Sequence, residues 1–161
     1  MSNLKAEFYL KIIFLFSFIA LISAFFIEYI LGHQPCNLCL IERIPYGLSI
    51  MIIMAIFLIR KNQKFLVMLL ILTFIFSFVI SFYHFGIEQG FFQESSVCGV
   101  KSLTEIVTKE DLLKQLSEKT ISCKDVTFRI FGLSLTSINI VISLLFITTV
   151  LKIFKKYEKN K

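Results

Sequence analysis

Four long apolar blocks restrict what this chain can become more than any other feature. Ile12–Leu31 runs for 20 residues with one charge, Glu28, near its end. Ile44–Ile59 runs for 16 residues, Phe65–Ile87 for 23 and Leu133–Leu151 for 19, none of them carrying an acidic or basic charge. A helix that crosses a bilayer needs about 20 apolar residues, within a range of roughly 17–25. Three blocks meet this directly. The second reaches a full span once Glu42, Arg43 and Arg60 are included, because charged ends extend to the interface. One such block could be a buried helix of a soluble protein, but four in 161 residues leave too little polar surface to enclose them. Composition agrees: the chain is 57% apolar and 17% charged, where soluble domains run at about 45–50% and about 25%.

The expected fold is an all-α membrane protein, a four-helix transmembrane bundle forming a single integral membrane domain over 1–161. Its helices are expected at about 12–31, 43–60, 65–87 and 133–151, with loops at about 32–42 and 88–132. The first block exceeds the roughly 7–15 residues of a signal-peptide core, so it reads as an uncleaved anchor.

The net charge of +6 is a topology signal. Lys5 and Lys11 precede the first block, Arg60, Lys61 and Lys64 separate the second from the third, and five lysines follow the fourth. With four spans these basic flanks share one side, which the positive-inside rule makes cytoplasmic. The long opposite loop is balanced, with seven acids against six bases. No basic and aromatic stripe points to nucleic acid. Within that loop Leu103–Leu116 has roughly helical apolar spacing, which fits either short amphipathic helices on the membrane or a solvated loop. Thr108 and Asp111 there resemble a capping box only loosely.

All four cysteines fall in the two expected external loops. Outside the cytoplasm disulfides persist. Cys36-Asn37-Leu38-Cys39 is a C-x-x-C pair ahead of the second helix, a spacing that favours redox-active over structural disulfides. The helix start and Arg43, four residues on, both bring positive potential near Cys39, and Pro45 suits the first turn of that helix. Cys98 and Cys123 lie 25 positions apart. If joined, they would close a loop worth roughly 3–4 kcal/mol in the chain-entropy model. A plain loop staple, or a four-thiolate zinc site, are the competing readings of these four residues.

A turning-over disulfide needs an electron acceptor. The sequence has no G-x-G-x-x-G for a dinucleotide and no C-x-x-C-H for covalent haem. A lipid-soluble quinone needs no fingerprint, only an apolar slot, a polar anchor and a nearby thiolate. Arg43 can supply the positive charge, and His84, near the external end of the third block, a hydrogen bond or a proton. Their bland readings are a snorkelling anchor and an idle interfacial histidine, with Glu42 merely pairing with Arg43.

These residues together resemble the disulfide bond formation protein B family, bacterial quinone-linked oxidases that re-oxidise a thioredoxin-like dithiol oxidase. The resemblance rests on Cys36-Asn37-Leu38-Cys39-Leu40-Ile41-Glu42-Arg43, on Tyr83-His84-Phe85-Gly86-Ile87-Glu88-Gln89-Gly90-Phe91-Phe92 leading to Cys98, and on Cys123 followed by Phe131-Gly132-Leu133-Ser134. It covers almost the whole chain. It implies two disulfides, Cys36–Cys39 and Cys98–Cys123. Cys98 would form the mixed disulfide with a periplasmic DsbA-type partner, Cys123 would exchange with Cys36, and Cys39 would face a quinone, ubiquinone or menaquinone. Arg43 matches the family's quinone-contacting arginine, and His84 lies near an expected quinone-lining histidine. The resemblance also implies an inner-membrane protein with cytoplasmic termini and periplasmic cysteine loops, sustaining disulfide formation in exported proteins, with no resident metal. Family members often carry Trp in the long loop and at the interfaces; this chain has none, and Phe and Tyr can fill those belts.

Other classes make different demands. A four-span protein with structural disulfides only predicts that Cys36→Ser weakens folding. A conduit resembling vitamin K epoxide reductase would carry its C-x-x-C in a late helix. A metal handler predicts thiol-dependent zinc, and a small transporter would need more charge inside its spans.

Overall fold

In a bilayer the backbone must satisfy its own hydrogen bonds, and the chain does so with four long helices. A computed structural model describes residues 2–59, 62–93, 98, 122–124, 129–130 and 133–159. Helix α1 is Ser2–Tyr29, α2 Asn37–Leu58, α3 Gln63–Glu88 and α4 Leu135–Lys159. Each contains a stretch of 22 to 26 residues apolar enough to cross a membrane. Ahead of α4, β1 (Arg129–Ile130) and β2 (Leu133–Ser134) form a short antiparallel pair, with Arg129 opposite Ser134.

The helix boundaries depart from the apolar blocks in instructive ways. α1 begins about ten residues early, because Lys5, Glu7 and Lys11 are compatible with a helix that projects past the hydrocarbon. α2 begins at Asn37, not near 43, because Cys36 caps it: Cys36 has extended backbone, and its Sγ accepts the Cys39 N–H at 3.3 Å. Cys39, Glu42 and Arg43 are therefore helical, and Cys39 lies inside a span, not in a loop. Pro45 is correspondingly inside the helix and buried, not in its first turn. Leu133 and Ser134 are extended, not helical; the Ser134 Oγ accepts the Ser137 N–H at 3.2 Å and so caps α4. Leu103–Leu116, with Thr108 and Asp111, lies outside the described residues.

α3 ends in a Schellman motif. Gly90 takes φ 78°, its N–H bonds to Ile87 O at 3.0 Å, and the Phe91 N–H bonds to Gly86 O at 2.8 Å. The chain thereby folds back onto its own helix, and the Phe92 ring stacks on Tyr83 with centroids 5.7 Å apart.

The helices pack in chain order, α1 on α2, α2 on α3 and α3 on α4, while α1 and α4 meet more sparingly. One α1–α4 meeting point is Phe16 against Phe146, edge to face at 5.4 Å, with Phe74 of α3 behind it. An apolar core fills one end: Ala6, Leu10 and Ile13 of α1, Ile52, Ile53 and Ile56 of α2, Val67, Leu70, Ile71 and Phe74 of α3, and Val150 and Ile153 of α4. The start of α1 and the end of α4 share this end, where Lys5, Lys152 and Lys156 line one cavity. Small hydroxyls join the helices where backbones approach: Ser49 donates to Ser17 at 3.0 Å and Ser143 to Ser77 at 3.1 Å. Many large apolar side chains remain exposed, among them Phe8, Met51, Phe65 and Leu145, as a lipid-facing surface requires.

Candidate redox site

The opposite end of the bundle carries the chemistry. Cys36, Cys98 and Cys123 are buried there with Leu38 and Ile87, and Cys39, Ile41 and Tyr83 pack against them. The C-x-x-C pair and the two loop cysteines, distant from it in sequence, thus form one cluster. The start of α2 organises it. Cys36 is the N-cap and Cys39 sits one turn in, with their sulfurs 2.7 Å apart. The backbone N–H of Leu38, one of the unpaired amides of the first turn, reaches the Cys123 sulfur, which is also hydrogen-bonded to Cys98. A helix start presents N–H groups and positive potential, so it favours negative charge on sulfur.

The thiols of Cys36 and Cys123 differ as a result. In the dithiol form the Cys36 thiol is held down to about 4, because the Cys39 thiol and the His84 imidazole hydrogen-bond to its sulfur and outweigh burial. Burial pushes the Cys123 thiol up, and its hydrogen bond with Cys98 adds to this.

His84 connects the cluster to a polar network inside the bundle. It is 2% exposed. Its Nε2 lies 3.6 Å from Cys36 Sγ, and its Nδ1 lies 3.0 Å from Glu42 Oε1. Asn139 donates from Nδ2 to Glu42 Oε2 at 3.2 Å and to Ser81 Oγ at 2.7 Å, and Tyr46 donates to Asn139 Oδ1. Thr136 donates to Glu88 Oε1 at 2.7 Å, and that oxygen is 3.9 Å from His84 Nε2. Three helices therefore hold one imidazole against one sulfur.

Arg43 faces the other way. Its guanidinium pairs with Glu28 of α1 and lies 5.2 Å over the Phe25 ring. The bland reading of the sequence had Glu42 merely pairing with Arg43; instead Glu42 serves His84, because neighbouring residues on a helix do not face each other. Cys39 and Arg43, four apart, do share a face of α2. Leu40 and Ile44 beside them are exposed to lipid.

Sequence reasoning brought out the four cysteines, Arg43 and His84, offered Glu42 only as a partner of Arg43, and passed over Glu28, Glu88, Thr136 and Asn139 as partners. The signal was available in part. Asn139 is the one amide side chain inside an uncharged block, and Glu28, Glu42, Arg43 and Glu88 all lie inside spans once the true helix ends are known. Intramembrane polar and ionisable groups mark function.

Comparison with known proteins agrees with this arrangement. The sequence profile of the disulfide bond formation protein DsbB family matches residues 6–153. The chain belongs to this family. It is also 32% identical over 130 residues to an uncharacterized protein of Rickettsia prowazekii (strain Madrid E), covering 80% of this chain and 76% of that one. The DsbB family makes the protein a membrane thiol oxidoreductase of disulfide bond formation, and the cysteine cluster at one end of its four apolar helices is its candidate centre.

Proposed function

We propose that the protein re-oxidises a periplasmic thioredoxin-like dithiol oxidase of DsbA type and delivers the electrons to a membrane quinone. It would sit in the bacterial inner membrane with both termini cytoplasmic and the cysteine end periplasmic. The observation that supports this best is the convergence of all four cysteines on the first turn of α2.

In this reading Cys98 and Cys123 begin as a disulfide, as do Cys36 and Cys39. A thiolate of the partner attacks Cys98, and Cys123 leaves with the electron pair of the broken S–S bond. The partner's second thiolate then displaces Cys98, so the partner departs as a disulfide and this chain gains two thiols. Cys123, held beside Cys36 by the Leu38 N–H, attacks Cys36 and expels Cys39. Cys98 then attacks Cys123, restoring the outer disulfide and releasing Cys36. Two electrons and two protons have moved to the inner pair. His84, oriented by Glu42, holds or moves the proton at Cys36 Sγ. It acts on the sulfur, and not as a wall of the quinone slot, because it is buried between Cys36 and Glu42.

The residues around Cys39 fit a quinone. The shared face of Cys39 and Arg43 opens toward lipid past Leu40 and Ile44, with Phe25 under the guanidinium. Arg43 would hold the ring oxygens through donors that Glu28 leaves free, since a guanidinium has five. A quinone bound there supplies the acceptor of two electrons and two protons that returns the inner pair to a disulfide.

The test is quinone reduction by purified protein given a reduced thioredoxin-like dithiol protein, with Cys39→Ala and Cys98→Ala alongside. Stoichiometric quinol formation that both variants abolish is expected. A folded wild type that reduces no quinone with any such partner refutes the reading.

A further inference from the structure

We propose that the dithiol form of the inner pair is also a transition-metal site, in which Cys36 Sγ, Cys39 Sγ and His84 Nε2 capture a borderline divalent cation such as Zn2+ and so hold the protein reduced. The three ligand atoms all lie within 4.8 Å of one another. Two thiolates and one imidazole are a donor set that Zn2+ favours. Such sites need the histidine's other nitrogen fixed by an acceptor, and Glu42 Oε1 is 3.0 Å from His84 Nδ1, itself steadied by Asn139. The imidazole is thereby aimed at the sulfur through Nε2.

A second observation points to a missing ligand. The Glu88 side chain is 6% exposed, and its Oε2 is buried with no hydrogen-bond partner among the described residues. Its other oxygen is 3.9 Å from His84 Nε2. A carboxylate kept out of water and left half-satisfied 3.9 Å from the ligating nitrogen adds negative charge beside a cation held by the three ligands.

The chemistry balances without a further reagent. The cation displaces the protons that the dithiol and the imidazole carry between them, and no electron moves. Oxidation of the pair to a disulfide consumes both sulfur ligands. Metal capture and disulfide formation are therefore mutually exclusive, and free zinc would arrest the protein in its reduced state. The site requires only the dithiol, however that is produced, so its test does not depend on the quinone reading.

The experiment uses detergent-purified full-length protein carrying Cys98→Ser and Cys123→Ser, reduced with a phosphine and titrated anaerobically with Co2+. One equivalent is expected to bind, with thiolate-to-cobalt charge-transfer absorption and intense tetrahedral d–d bands that Zn2+ abolishes. Glu42→Gln should weaken binding about 10–100-fold, and His84→Gln should weaken it further and alter the d–d bands. The wild type gives an independent reading: Zn2+ should protect Cys36 and Cys39 of the reduced protein from alkylation, as mapped by mass spectrometry. Absence of stoichiometric binding overturns the proposal. So does binding that His84→Gln leaves unchanged, since that is ordinary dithiol affinity without a built site.

Discussion

Replacing Glu42 probes the link between the polar network and the sulfur. Its carboxylate is 11% exposed and accepts from two directions, His84 Nδ1 at 3.0 Å and Asn139 Nδ2 at 3.2 Å. Hydrogen bonds to a charged group contribute about 1.5–3 kcal/mol, and a buried donor left unpaired costs about 1–3 kcal/mol. Asn139 retains Ser81 at 2.7 Å, so its loss is partial, whereas His84 Nδ1 keeps only the Thr136 hydroxyl at 3.4 Å. Glu42→Ala should therefore cost about 2–4 kcal/mol. Glu42→Gln preserves shape and one acceptor oxygen, so about half of that remains, roughly 1–2 kcal/mol. If this loss falls on positioning the imidazole at Cys36, re-formation of the Cys36–Cys39 disulfide slows by roughly 5–30-fold, at 1.36 kcal/mol per tenfold. The assay is single-turnover oxidation of the reduced protein followed by stopped flow, with thermal unfolding as a check that the bundle persists. Residues acting as a unit give strongly non-additive losses. The Glu42→Gln/His84→Gln double variant should therefore be no slower than His84→Gln alone. A wild-type rate in Glu42→Gln, or a double variant whose loss is the product of the single ones, would refute the reasoning.

Four further outcomes are expected. A Cβ at Gly86 would meet Phe92 Cδ2 at 2.1 Å, so Gly86→Ala should destabilise by about 1–3 kcal/mol; in a Phe92→Ala background, unfolding in a detergent titration should show the penalty largely gone. The side chains of Arg43 and Glu28 are only 17% and 20% exposed; Glu28→Gln should loosen the guanidinium and raise the quinone KM about fivefold, about 1 kcal/mol, with kcat unchanged in a quinone titration. In the dithiol form Cys36 is held down to about 4 and Cys123 is pushed up. Between pH 6 and 8 methanethiosulfonate labelling of Cys36 should be nearly flat, since it is already a thiolate, while that of Cys123 should rise about tenfold per pH unit, read by mass spectrometry. Finally, Ser77→Ala and Ser143→Ala break one shared hydrogen bond; each should cost about 0.6 kcal/mol, and the double variant little more than either alone.

The four spans were legible because a bilayer imposes a length and a composition that a sequence cannot hide. The cysteines and Arg43 were legible because their spacing carries chemistry. The network was not, and one misplaced boundary explains much of this. Apolarity extended through a charged end starts α2 near Arg43, whereas the helix starts where its amides find an acceptor, and that acceptor is the Cys36 sulfur. Those six added residues, 37 to 42, turn a loop into a rigid face. On a loop, Glu42 and Arg43 are neighbours free to pair. On a helix they point about 100° apart, so Glu42 turns inward to His84 while Arg43 turns to Glu28 and the lipid-facing side. The inner partners come from α3 and α4, more than 35 positions away: Ser81, His84 and Glu88 on one, Thr136 and Asn139 on the other. Nothing in the period of an apolar helix says which neighbour its single amide or hydroxyl will meet, because lipid-facing and bundle-facing positions are equally apolar. The C-x-x-C spacing thus encodes more than a disulfide. It sets one sulfur as the cap of α2 and the other one turn inside it. A one-residue shift of that cap would rotate Glu42 and Arg43 together, withdrawing the acceptor from His84 and the guanidinium from Glu28 at the same time.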